Sequence, residues 1–478
     1  MMPYTSTERR QRIVVYMLLI AVLAGAAGFG AGQWWMKYRH PVLGQAAFDN
    51  LDRSYKEIVN NYMGDVDPES LIHGAVTGMV SSLNDPYSVY YTKEQGKSFL
   101  ERYEDHFVGI GVVLRVDKGQ FIINSTIEGA PAAGAGILAD DRIVAIDGKP
   151  VDGKTLSDII SLTRGEEGTK VVLTLARASS PEPIEITVTR GEVPVTTVSS
   201  KMLDNGVGNI TIARFAESTA KEFQQAADRL QEQGMKGLII DLRANPGGLL
   251  QPAMEIASLL IPKDKVIVQV VYKNEQREYT HRSKQKQEWK LPLVVLIDEN
   301  SASSSEVLAA ALGANGAVLV GNKSFGKGIV QTFQQFADES VLKLTEAQWR
   351  TPDGSWIHKE GVKPDITVDM PEYAKLPLLH GETTFKQGDY GKEVRTIQHM
   401  LFALGSGPIT QEGVYNADTT EAVKKFQRQE QLEADGIMSE GTAYRLQQRL
   451  AEKIEQEDPQ SKKAIEELRN LIKGKAQR

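Results

Sequence analysis

The chain has 478 residues, with 55 lysines and arginines against 62 aspartates and glutamates, which gives a net charge of −7. This length predicts three or more domains, each with its own core. The acidic balance and the lack of a basic block exclude nucleic acid as the main partner. Without cysteine the chain has neither disulfides nor a thiol nucleophile, and its seven scattered histidines predict no metal ion or other cofactor.

The N-terminal segment predicts a membrane anchor. Residues 13–32 contain no charged side chain and are long enough to cross a bilayer as a helix. Three arginines lie within residues 1–12, so the positive-inside bias predicts a cytoplasmic N-terminus and an extracytoplasmic remainder. Cleavage by a signal peptidase near Ala24-Gly-Ala26 is the alternative, although the apolar run continues beyond this point. We expect a single-pass protein of the cell membrane.

Residues 43–95 have the apolar spacing of amphipathic helices. The pattern ends at residues 84–88, Asn-Asp-Pro-Tyr-Ser, which is a turn signature. This region therefore predicts a helical support for the domain that follows, or a contact between subunits.

Residues 96–190 resemble a PDZ domain. The run Val108-Gly-Ile-Gly-Val112 precedes Gly-Ala-Pro-Ala-Ala at 129–133 and Asp-Arg-Ile-Val-Ala-Ile-Asp-Gly at 141–148. In such a domain the backbone N–H groups of the first run form a nest for the C-terminal carboxylate of a peptide, which adds as a strand to an exposed sheet edge. The resemblance implies that the substrate C-terminus binds at the following residues: Gly109, Ile110, Gly111 and Val112.

Residues 195–370 predict an α/β core, because strand and helix patterns repeat along them. A buried-strand pattern at 237–242 runs into the turn Asp241-Leu-Arg-Ala-Asn-Pro-Gly-Gly248. Glycine lets the backbone approach a substrate closely, so an N–H of Gly247 or Gly248 is a candidate for half of an oxyanion hole. A plain tight turn before a helix at 249–261 is the alternative.

A serine cluster and a lysine turn follow in the same region. The apolar run 293–297 leads into Asp298-Glu-Asn-Ser-Ala-Ser-Ser-Ser-Glu306 and a helical pattern, which predicts a strand, a tight turn and a helix. A serine hydroxyl would then lie beside the N–H groups of a helix N-terminus, where the N–H of Ser304 is the candidate for the other half of the oxyanion hole. After a strand at 317–320, the turn Gly321-Asn-Lys-Ser-Phe-Gly-Lys-Gly328 presents a lysine. A lysine amine activates a serine once desolvation lowers its pKa from about 10.4 to about 7.

Three alternatives to a Ser–Lys hydrolase remain open at this point. The serine cluster is also typical of a helix N-cap, with Ser304 or Ser305 as the capping residue. The lysine turn mimics a phosphate-binding loop, although Gly328 replaces the serine or threonine that would hold Mg²⁺. A Ser–His–Asp triad would combine Asp241 with one of two histidines, His281 or His358.

Together these blocks resemble the carboxyl-terminal processing proteases, which are serine proteases with a Ser–Lys dyad and a PDZ domain. The resemblance extends from about residue 48 to about residue 370 and implies a crotonase-like α/β core. It implies that Ser303 is the nucleophile, that Lys327 is its base and that Gln331 orients the lysine. The family commonly has alanine where this chain has Ser304, so three adjacent hydroxyls compete for the role of nucleophile.

The same resemblance implies two further features. Arg164, in the run Leu-Thr-Arg-Gly, couples peptide binding at the PDZ domain to activation of the protease; a surface ion pair is the alternative for this residue. The helical region at 43–95 forms the contact of a homodimer.

The C-terminal part adds one more domain. Residues 385–450, from Lys386-Gln-Gly to beyond Asp435-Gly-Ile, resemble a three-helix peptidoglycan-binding domain, and a helical packing module without affinity is the alternative. Residues 451–478 are rich in charge and predict a solvated helix or a tail.

These observations predict a membrane-anchored serine endopeptidase that acts outside the cytoplasm, at a Gram-positive cell surface or in an intermembrane space. Its substrates are proteins with free, apolar C-termini, selected by the PDZ domain. The rival prediction is a non-catalytic PDZ scaffold tethered to the cell wall, which would not depend on Lys327.

Overall fold

The computed structural model describes residues 17, 23–25, 27–32, 46–101, 103–117, 120–273, 277–379 and 384–476. Half of the predicted anchor, residues 13–16, 18–22 and 26, lies outside this range. Within the described residues, no helix combines the length and the apolar character needed to cross a membrane. Internal contacts divide the chain into two units, residues 1–92 and residues 93–478.

The first unit is mainly helical where it is described. Helices α1 (Ala46–Asn61) and α2 (Pro68–Ser81) precede the short strand β1 (Val89–Tyr91). Asp67 caps α2, because its carboxylate accepts hydrogen bonds from the N–H groups of Glu69 and Ser70.

The second unit begins with helix α3 (Lys93–Leu100), and the antiparallel domain predicted to be a PDZ domain follows it. Strand β3 lies at one edge of its main sheet, and helix α5 buries Ile159 in the same core as Val116 of β3. The main sheet has the order β3-β4-β5-β7-β8, β6 pairs with β5, and β2 pairs with β9. The elements are β2 (His106–Gly109), β3 (Val112–Asp117), β4 (Gln120–Thr126), α4 (Pro131–Gly134), β5 (Arg142–Ile146), β6 (Lys149–Pro150), α5 (Leu156–Thr163), β7 (Lys170–Ala176), β8 (Ile184–Thr189) and β9 (Gly191–Pro194).

The predicted protease core contains a sheet of order β10-β11-β12-β15-β16-β19, which is parallel except for the antiparallel pair β10–β11. Alternate residues of its central strands are buried on opposite faces, which explains why these strands are continuous apolar runs in the sequence. Helices α6, α7 and α8 cover one face. The bounds are β10 (Val198–Leu203), β11 (Val207–Ile212), α6 (Thr219–Glu232), β12 (Gly237–Asp241), α7 (Leu250–Leu260), β15 (Leu293–Ile297), α8 (Ser304–Gly313), β16 (Val318–Gly321) and β19 (Ile366–Thr367).

A second, antiparallel sheet continues from the lysine turn. Strand β17 (Ile329–Gln335) pairs with β18 (Val341–Arg350), which pairs with β13 (Val266–Tyr272), and β13 pairs with β14 (Glu278–Arg282). Trp349 of β18 is 2% exposed and belongs to the core of the protease domain, so the two sheets share one hydrophobic core.

Three helices form the C-terminal module: α9 (Lys392–Ala403), α10 (Ala417–Gln429) and α11 (Glu440–Glu457). They enclose a separate core that includes Ile397, Phe426 and Leu446. The helical nature predicted for residues 385–450 is confirmed, and α11 continues past that boundary to residue 457.

For residues 451–478 the sequence predicted a solvated helix or a tail; the helix is confirmed, but the prediction that it is solvated is wrong. Residues 459–476 form helix α12 (Pro459–Ala476), which covers the face of the protease sheet opposite α6, α7 and α8. Ala464 and Leu468 are fully buried there, with Leu471 and Ile472 packed beside them. This spacing of i, i+4, i+7 and i+8 is an apolar stripe on one helix face. The many charged residues of the segment lie on the other faces of the helix, and they made the apolar stripe hard to recognise in the sequence.

Candidate active site

Three turns that carry the predicted site residues meet at one edge of the protease sheet. Because β12, β15 and β16 are parallel, the turns that follow them leave the sheet at the same end. The glycine turn, residues 241–248, accepts a hydrogen bond at Asn245 O from the N–H of Ala302, 3.0 Å away. The lysine turn, residues 321–328, is joined in the same way to the serine turn, residues 298–303, since the N–H of Phe325 donates to Ser301 O at 3.0 Å.

Ser303 is the accessible member of the three adjacent serines. It is half-buried, whereas Ser304 and Ser305 are 2% and 0% exposed. The Ser304 hydroxyl donates to Gly248 O at 3.0 Å and the Ser305 hydroxyl donates to Asn245 O at 2.9 Å. Both buried hydroxyls therefore hold the glycine turn in place, and Ser303 is the one of the three serines that is accessible to act as the nucleophile.

The backbone of Ser303 is strained. Its φ is 55° and its ψ is −115°, a conformation that non-glycine residues rarely adopt and that costs about 1–3 kcal/mol. Ser303 is also the N-cap of α8, so the prediction that Ser304 or Ser305 caps the helix is wrong. A serine at a sharp turn between a strand and a helix projects its hydroxyl away from the sheet, as a nucleophile requires.

Glu306 connects the serine turn to the lysine turn, a role that sequence reasoning missed. Its carboxylate is 0% exposed. It accepts from the N–H of Ser303 (2.8 Å), the N–H of Lys327 (2.8 Å), the N–H of Gly326 (2.7 Å) and the Ser324 hydroxyl (2.5 Å). One buried carboxylate thus fixes the backbone of both predicted catalytic residues. The sequence contained a signal for this role, since Ser-x-x-Glu ahead of a helix is a capping box.

Lys327 is half-buried, and two indole groups hold the backbone around it. Trp349 Nε1 donates to Lys327 O at 2.9 Å, and Trp356 Nε1 donates to Gly328 O at 2.7 Å. A Cβ atom at Gly328 would lie 2.7 Å from the backbone nitrogen of His358, so this position needs glycine. Gln331 is the third residue of β17, opposite Thr345 and directly after an irregularity in the strand register.

Of the three backbone N–H groups predicted as oxyanion donors, those of Gly248 and Ser304 fit the structure and that of Gly247 does not. The N–H of Gly247 donates to the Asn245 side chain at 2.9 Å, so the prediction for this donor is wrong, because the turn itself consumes it. For the N–H groups of Gly248 and Ser304, no protein acceptor occurs among the described residues. Gly247 instead allows the glycine turn to pack closely against the serine turn, since a Cβ there would be 2.7 Å from Ala302 O.

The two other chemical alternatives do not fit this geometry. In the lysine turn, the N–H groups of Gly326 and Lys327 already bind a carboxylate of the protein, and a strand rather than a helix follows, so the turn is not a phosphate-binding loop. A Ser–His–Asp triad would need Asp241, but both of its carboxylate oxygens accept hydrogen bonds from Arg243, at 3.0 and 2.7 Å.

Arg243 also ties the glycine turn to the C-terminal helix. Its guanidinium donates to Asp458 at 2.8 Å, to the side-chain oxygen of Gln460 at 3.1 Å and to Ser461 at 3.1 Å. Gln460, which is 1% exposed, in turn donates to the Asn322 side chain at 3.0 Å, in the lysine turn. Hydrogen bonds from the start of α12 therefore hold both the glycine turn and the lysine turn in place.

Asp458 should make stability depend on pH. Burial by itself raises the pKa of Asp458, but the Arg243 charge and the hydrogen bonds from Ser461 outweigh it, so the pKa lies below its ordinary value of 3.8. A lowered carboxyl pKa stabilises the fold fully above 3.8, and this stabilisation is lost as the pH falls through the lowered value. Asp458→Asn should lower the free energy of unfolding by about 1–3 kcal/mol at pH 7.

The measurement is the midpoint of urea unfolding between pH 7 and pH 2, with the exposed Asp228→Asn as the control. The Asp458 variant and the parent chain should differ at pH 7 and converge at the acid end. A difference that is constant over the whole range would contradict the charge-based account.

The predicted carboxylate nest lies where β2 ends and β3 begins. Ile110 O accepts from Ala132 N at 2.8 Å and Gly111 O accepts from Ile127 N at 2.9 Å. In a trans peptide the C=O and N–H groups point in opposite directions, so the N–H of Gly111 points away from Ala132 and the N–H of Val112 points away from Ile127. Gly111 has a φ of 77°, and a Cβ there would be 2.1 Å from Ala130 Cβ.

Arg164 lies beside this nest, at the C-cap of α5. Its guanidinium carbon is 4.7 Å from the centroid of the Phe107 ring in β2, and its side chain borders Gly109. Among the residues that the structure describes, no carboxylate lies within ion-pair distance of Arg164. The contact with β2 gives this arginine a physical link to the nest, whereas the alternative of a surface ion pair has no partner in the described chain.

Models of known families match four stretches of this chain. Peptidase family S41 matches residues 206–368, and the N-terminal domain of the activating protease CtpB matches residues 35–95. A PDZ domain matches residues 122–177, and a domain described as peptidoglycan binding matches residues 390–446.

Full-length relatives cover almost the whole chain. The carboxy-terminal processing protease CtpA of Bacillus subtilis (strain 168) is 41% identical over 465 residues, which are 97% of this chain and 99% of that protein. A "Probable CtpA-like serine protease" of Staphylococcus aureus (strain N315) is 37% identical over 431 residues, 90% of this chain and 86% of that protein. Among solved structures, the photosystem II D1 C-terminal processing protease is similar at 29% identity and a TM-score of 0.40, over 70% of this chain and 89% of that one.

Proposed function

This chain belongs to peptidase family S41, among the carboxy-terminal processing serine proteases, and from this membership we propose a membrane-anchored, extracytoplasmic endopeptidase that selects proteins by their C-termini and cleaves them with Ser303 and Lys327. The PDZ domain is the proposed reader of the C-terminus. The predicted crotonase-like classification of the core belongs to the same proposal.

The proposed reaction is acyl transfer to serine followed by hydrolysis. Ser303 Oγ attacks the peptide carbonyl while the neutral amine of Lys327 takes its proton, and the resulting ammonium gives that proton to the leaving amine as the C–N bond breaks. The N–H groups of Gly248 and Ser304 stabilise the oxyanion. Water then attacks the acyl-enzyme, with Lys327 again as the base, which releases a new C-terminal carboxylate and restores Ser303.

The hydrogen bonds of Glu306 are the observation that carries this proposal. The N–H groups of Ser303 and Lys327 both donate to the same carboxylate oxygen, Oε2, at 2.8 Å, so one buried oxygen holds the backbones of the two residues close together. Such fixed positioning of a nucleophile and its base accounts for a large part of catalysis. This positioning also argues against the non-catalytic scaffold, because such a scaffold would not require a serine and a lysine held in fixed positions.

Reading of a free C-terminus predicts a difference between free and amidated substrates. A substrate with an apolar C-terminal tail should be cleaved about tenfold faster than the same chain amidated at its terminus, because the nest at Gly111 and Val112 binds a carboxylate. Arg164→Ala should remove this difference and leave cleavage of the amidated chain unchanged. The measurement is the initial rate on both substrates. Equal rates on both substrates with the parent chain would contradict reading of the terminus.

Location is proposed from both ends of the chain. Residues 13–32 would anchor the protease in the membrane of a Gram-positive cell, and the helical module at 385–450 would hold it near peptidoglycan. A homodimer is proposed from α1 and α2, where several large apolar side chains are exposed, among them Ile58, Ile72 and Met79.

The C-terminal module should bind the cell wall. We expect the full chain to co-sediment with purified peptidoglycan in detergent, and the exposed Tyr390→Ala and Phe402→Ala changes in the module to weaken sedimentation without slowing cleavage of a soluble substrate. The matched control is Tyr62→Ala, an exposed aromatic residue outside the module. Absence of sedimentation by the unmodified chain would contradict wall binding.

A further inference from the structure

An open cavity of about 1280 Å³ lies on the helical face of the protease core, between α6, α7 and the segment 284–291. This segment, the strap, lies between β14 and β15 and is fastened to α7 at its start. The N–H of Lys284 donates to the Ser258 hydroxyl at 2.6 Å, and the Gln285 side chain donates to Leu259 O at 3.0 Å. None of the described residues that line the cavity belongs to the candidate active site, so the cavity is a separate feature of the protease core.

The floor of the cavity is apolar. Leu259, Trp289 and Leu291 line it and pack, partly buried, against the core of the protease domain. The indole N–H of Trp289 is buried and has no hydrogen-bond acceptor among the described residues. An unpaired buried donor costs about 1–3 kcal/mol, so a shift of the strap that brings this N–H to an acceptor on a ligand would be favoured.

The two helices contribute the same polar pair to the cavity. On α6 the Gln224 side chain donates to Asp228 at 2.7 Å, and on α7 the Gln251 side chain donates to Glu255 at 2.8 Å. All four residues line the cavity, and the members of each pair are four residues apart, so each pair lies on one face of its helix. An amide next to a carboxylate offers donors and acceptors side by side. Hydroxyl groups, which both donate and accept, fit such a pair.

The charges around the cavity are nearly balanced. Four lysines line it, three of them in the strap, against three carboxylates, and five glutamines lie among them. A strongly anionic polymer would meet the carboxylates, and a strongly cationic polymer would meet the lysines. Glutamine carries two donors and an acceptor without charge, so the lining favours a neutral ligand that is rich in polar groups.

The shape and the chemistry of the cavity fit a chain of sugars. The α6 positions that line it run from Lys221 to Gln231, which is about 15 Å along the helix axis. Sugar rings have apolar faces that pack on an apolar floor, and hydroxyl groups at their edges that reach polar walls. A peptide binds instead by adding to a sheet edge or by placing an apolar helix face in an apolar groove, and neither mode fits a cavity between two helices with polar rows.

We propose that this cavity binds a glycan strand of the cell wall. The sugar rings lie against the apolar floor, and their hydroxyl and acetamido groups meet the two amide–carboxylate pairs. The C-terminal module, which matches a peptidoglycan-binding domain, would hold the same polymer, and two contacts with one polymer raise the overall affinity. This inference rests on the proposed location of the protease at the cell wall.

Titration with a soluble oligosaccharide tests the site. The probe is chitotetraose, a tetramer of N-acetylglucosamine, and calorimetry measures its binding to the full chain in detergent. The chain carries Tyr390→Ala and Phe402→Ala, so that binding by the C-terminal module contributes little. Gln224→Ala and Gln251→Ala, added singly to this background, should each weaken binding about tenfold. Trp289→Phe, which keeps an aromatic ring but removes the indole N–H, should also weaken it.

The matched control is Gln334→Ala, which removes an exposed glutamine of β17 that does not line the cavity, and it should bind as the background chain does. Thermal melting shows that each variant is folded. Absence of binding by the background chain, or equal binding by all three cavity variants, would overturn the site. Displacement of chitotetraose by an equal concentration of a Gly/Ser decapeptide would also overturn it, because the cavity would then be a peptide groove.

Sedimentation of the unmodified chain with purified peptidoglycan separates this site from the proposed function. If that chain sediments but chitotetraose does not bind at the cavity, the proposed location stands and the glycan site fails. If the unmodified chain does not sediment, the proposed location fails and a wall glycan as the ligand of the cavity fails with it. Sedimentation together with loss of chitotetraose binding in the cavity variants supports both.

Discussion

Ser303→Ala is expected to abolish proteolysis, with a loss of at least about ten-thousandfold in kcat, while Ser304→Ala and Ser305→Ala retain most of the activity. Ser303 is the accessible serine at the strained turn, whereas the other two hydroxyls donate to carbonyl groups of the glycine turn. Removing one such buried hydrogen bond should cost about 1 kcal/mol of stability and only a modest part of the rate.

Lys327→Ala should cause a loss as deep as that of Ser303→Ala, and the double variant should be no worse than either single variant, because a nucleophile and its base act as a unit. Initial rates on a fluorogenic peptide measure the effect, and thermal melting shows that each variant is folded. An active Ser303→Ala chain together with an inactive Ser304 or Ser305 variant would show that the nucleophile is assigned to the wrong serine.

Glu306→Ala is expected to impair both stability and activity. Four donors converge on this buried carboxylate, and without it they lose their acceptor in a site closed to water. The free energy of unfolding should fall by about 3 kcal/mol or more, and kcat should fall by about a hundredfold or more, because the serine and lysine turns lose the group that joins them. Glu306→Gln should be intermediate, since an amide keeps one acceptor oxygen and turns a donor toward the remaining N–H groups.

The control for Glu306 is Glu299→Ala, an exposed glutamate on the same turn. Urea unfolding gives the stability of each variant, and single-turnover kinetics give the rate of acylation. If Glu306→Ala loses stability but its folded fraction cleaves at the parent rate, the carboxylate is only a structural support and does not position the catalytic residues.

Local patterns predicted the sheet, the turns and the helices of the protease core. The strands 237–242 and 293–297 could be recognised as continuous apolar runs, because helices cover both faces of the sheet. The parallel strands β15 and β16 place their following turns, which carry Ser303 and Lys327, at one edge of the sheet, and the hydrogen bonds of Glu306 join the two turns.

What the sequence could not predict depends on which distant segments pack together. Arg243 binds Asp458, which lies 215 positions further along the chain, and no local pattern in either segment predicts this contact. Gly247 failed as an oxyanion donor because the neighbouring Asn245 side chain takes its N–H, a competition that only the turn geometry decides. A cavity that is lined by Leu156 of the PDZ domain and Tyr444 of α11 likewise depends on the packing of two modules that each look self-contained in sequence.

The most direct test of the central claim is to identify the C-termini that the chain creates. An unstructured protein with an apolar C-terminal tail is incubated with the full chain and with its Ser303→Ala variant, and the products are sequenced by mass spectrometry. We predict new C-termini with the parent chain, fewer of them when the substrate is amidated, and none with Ser303→Ala. The same set of new C-termini from the Ser303→Ala variant would contradict a serine protease that acts through Ser303.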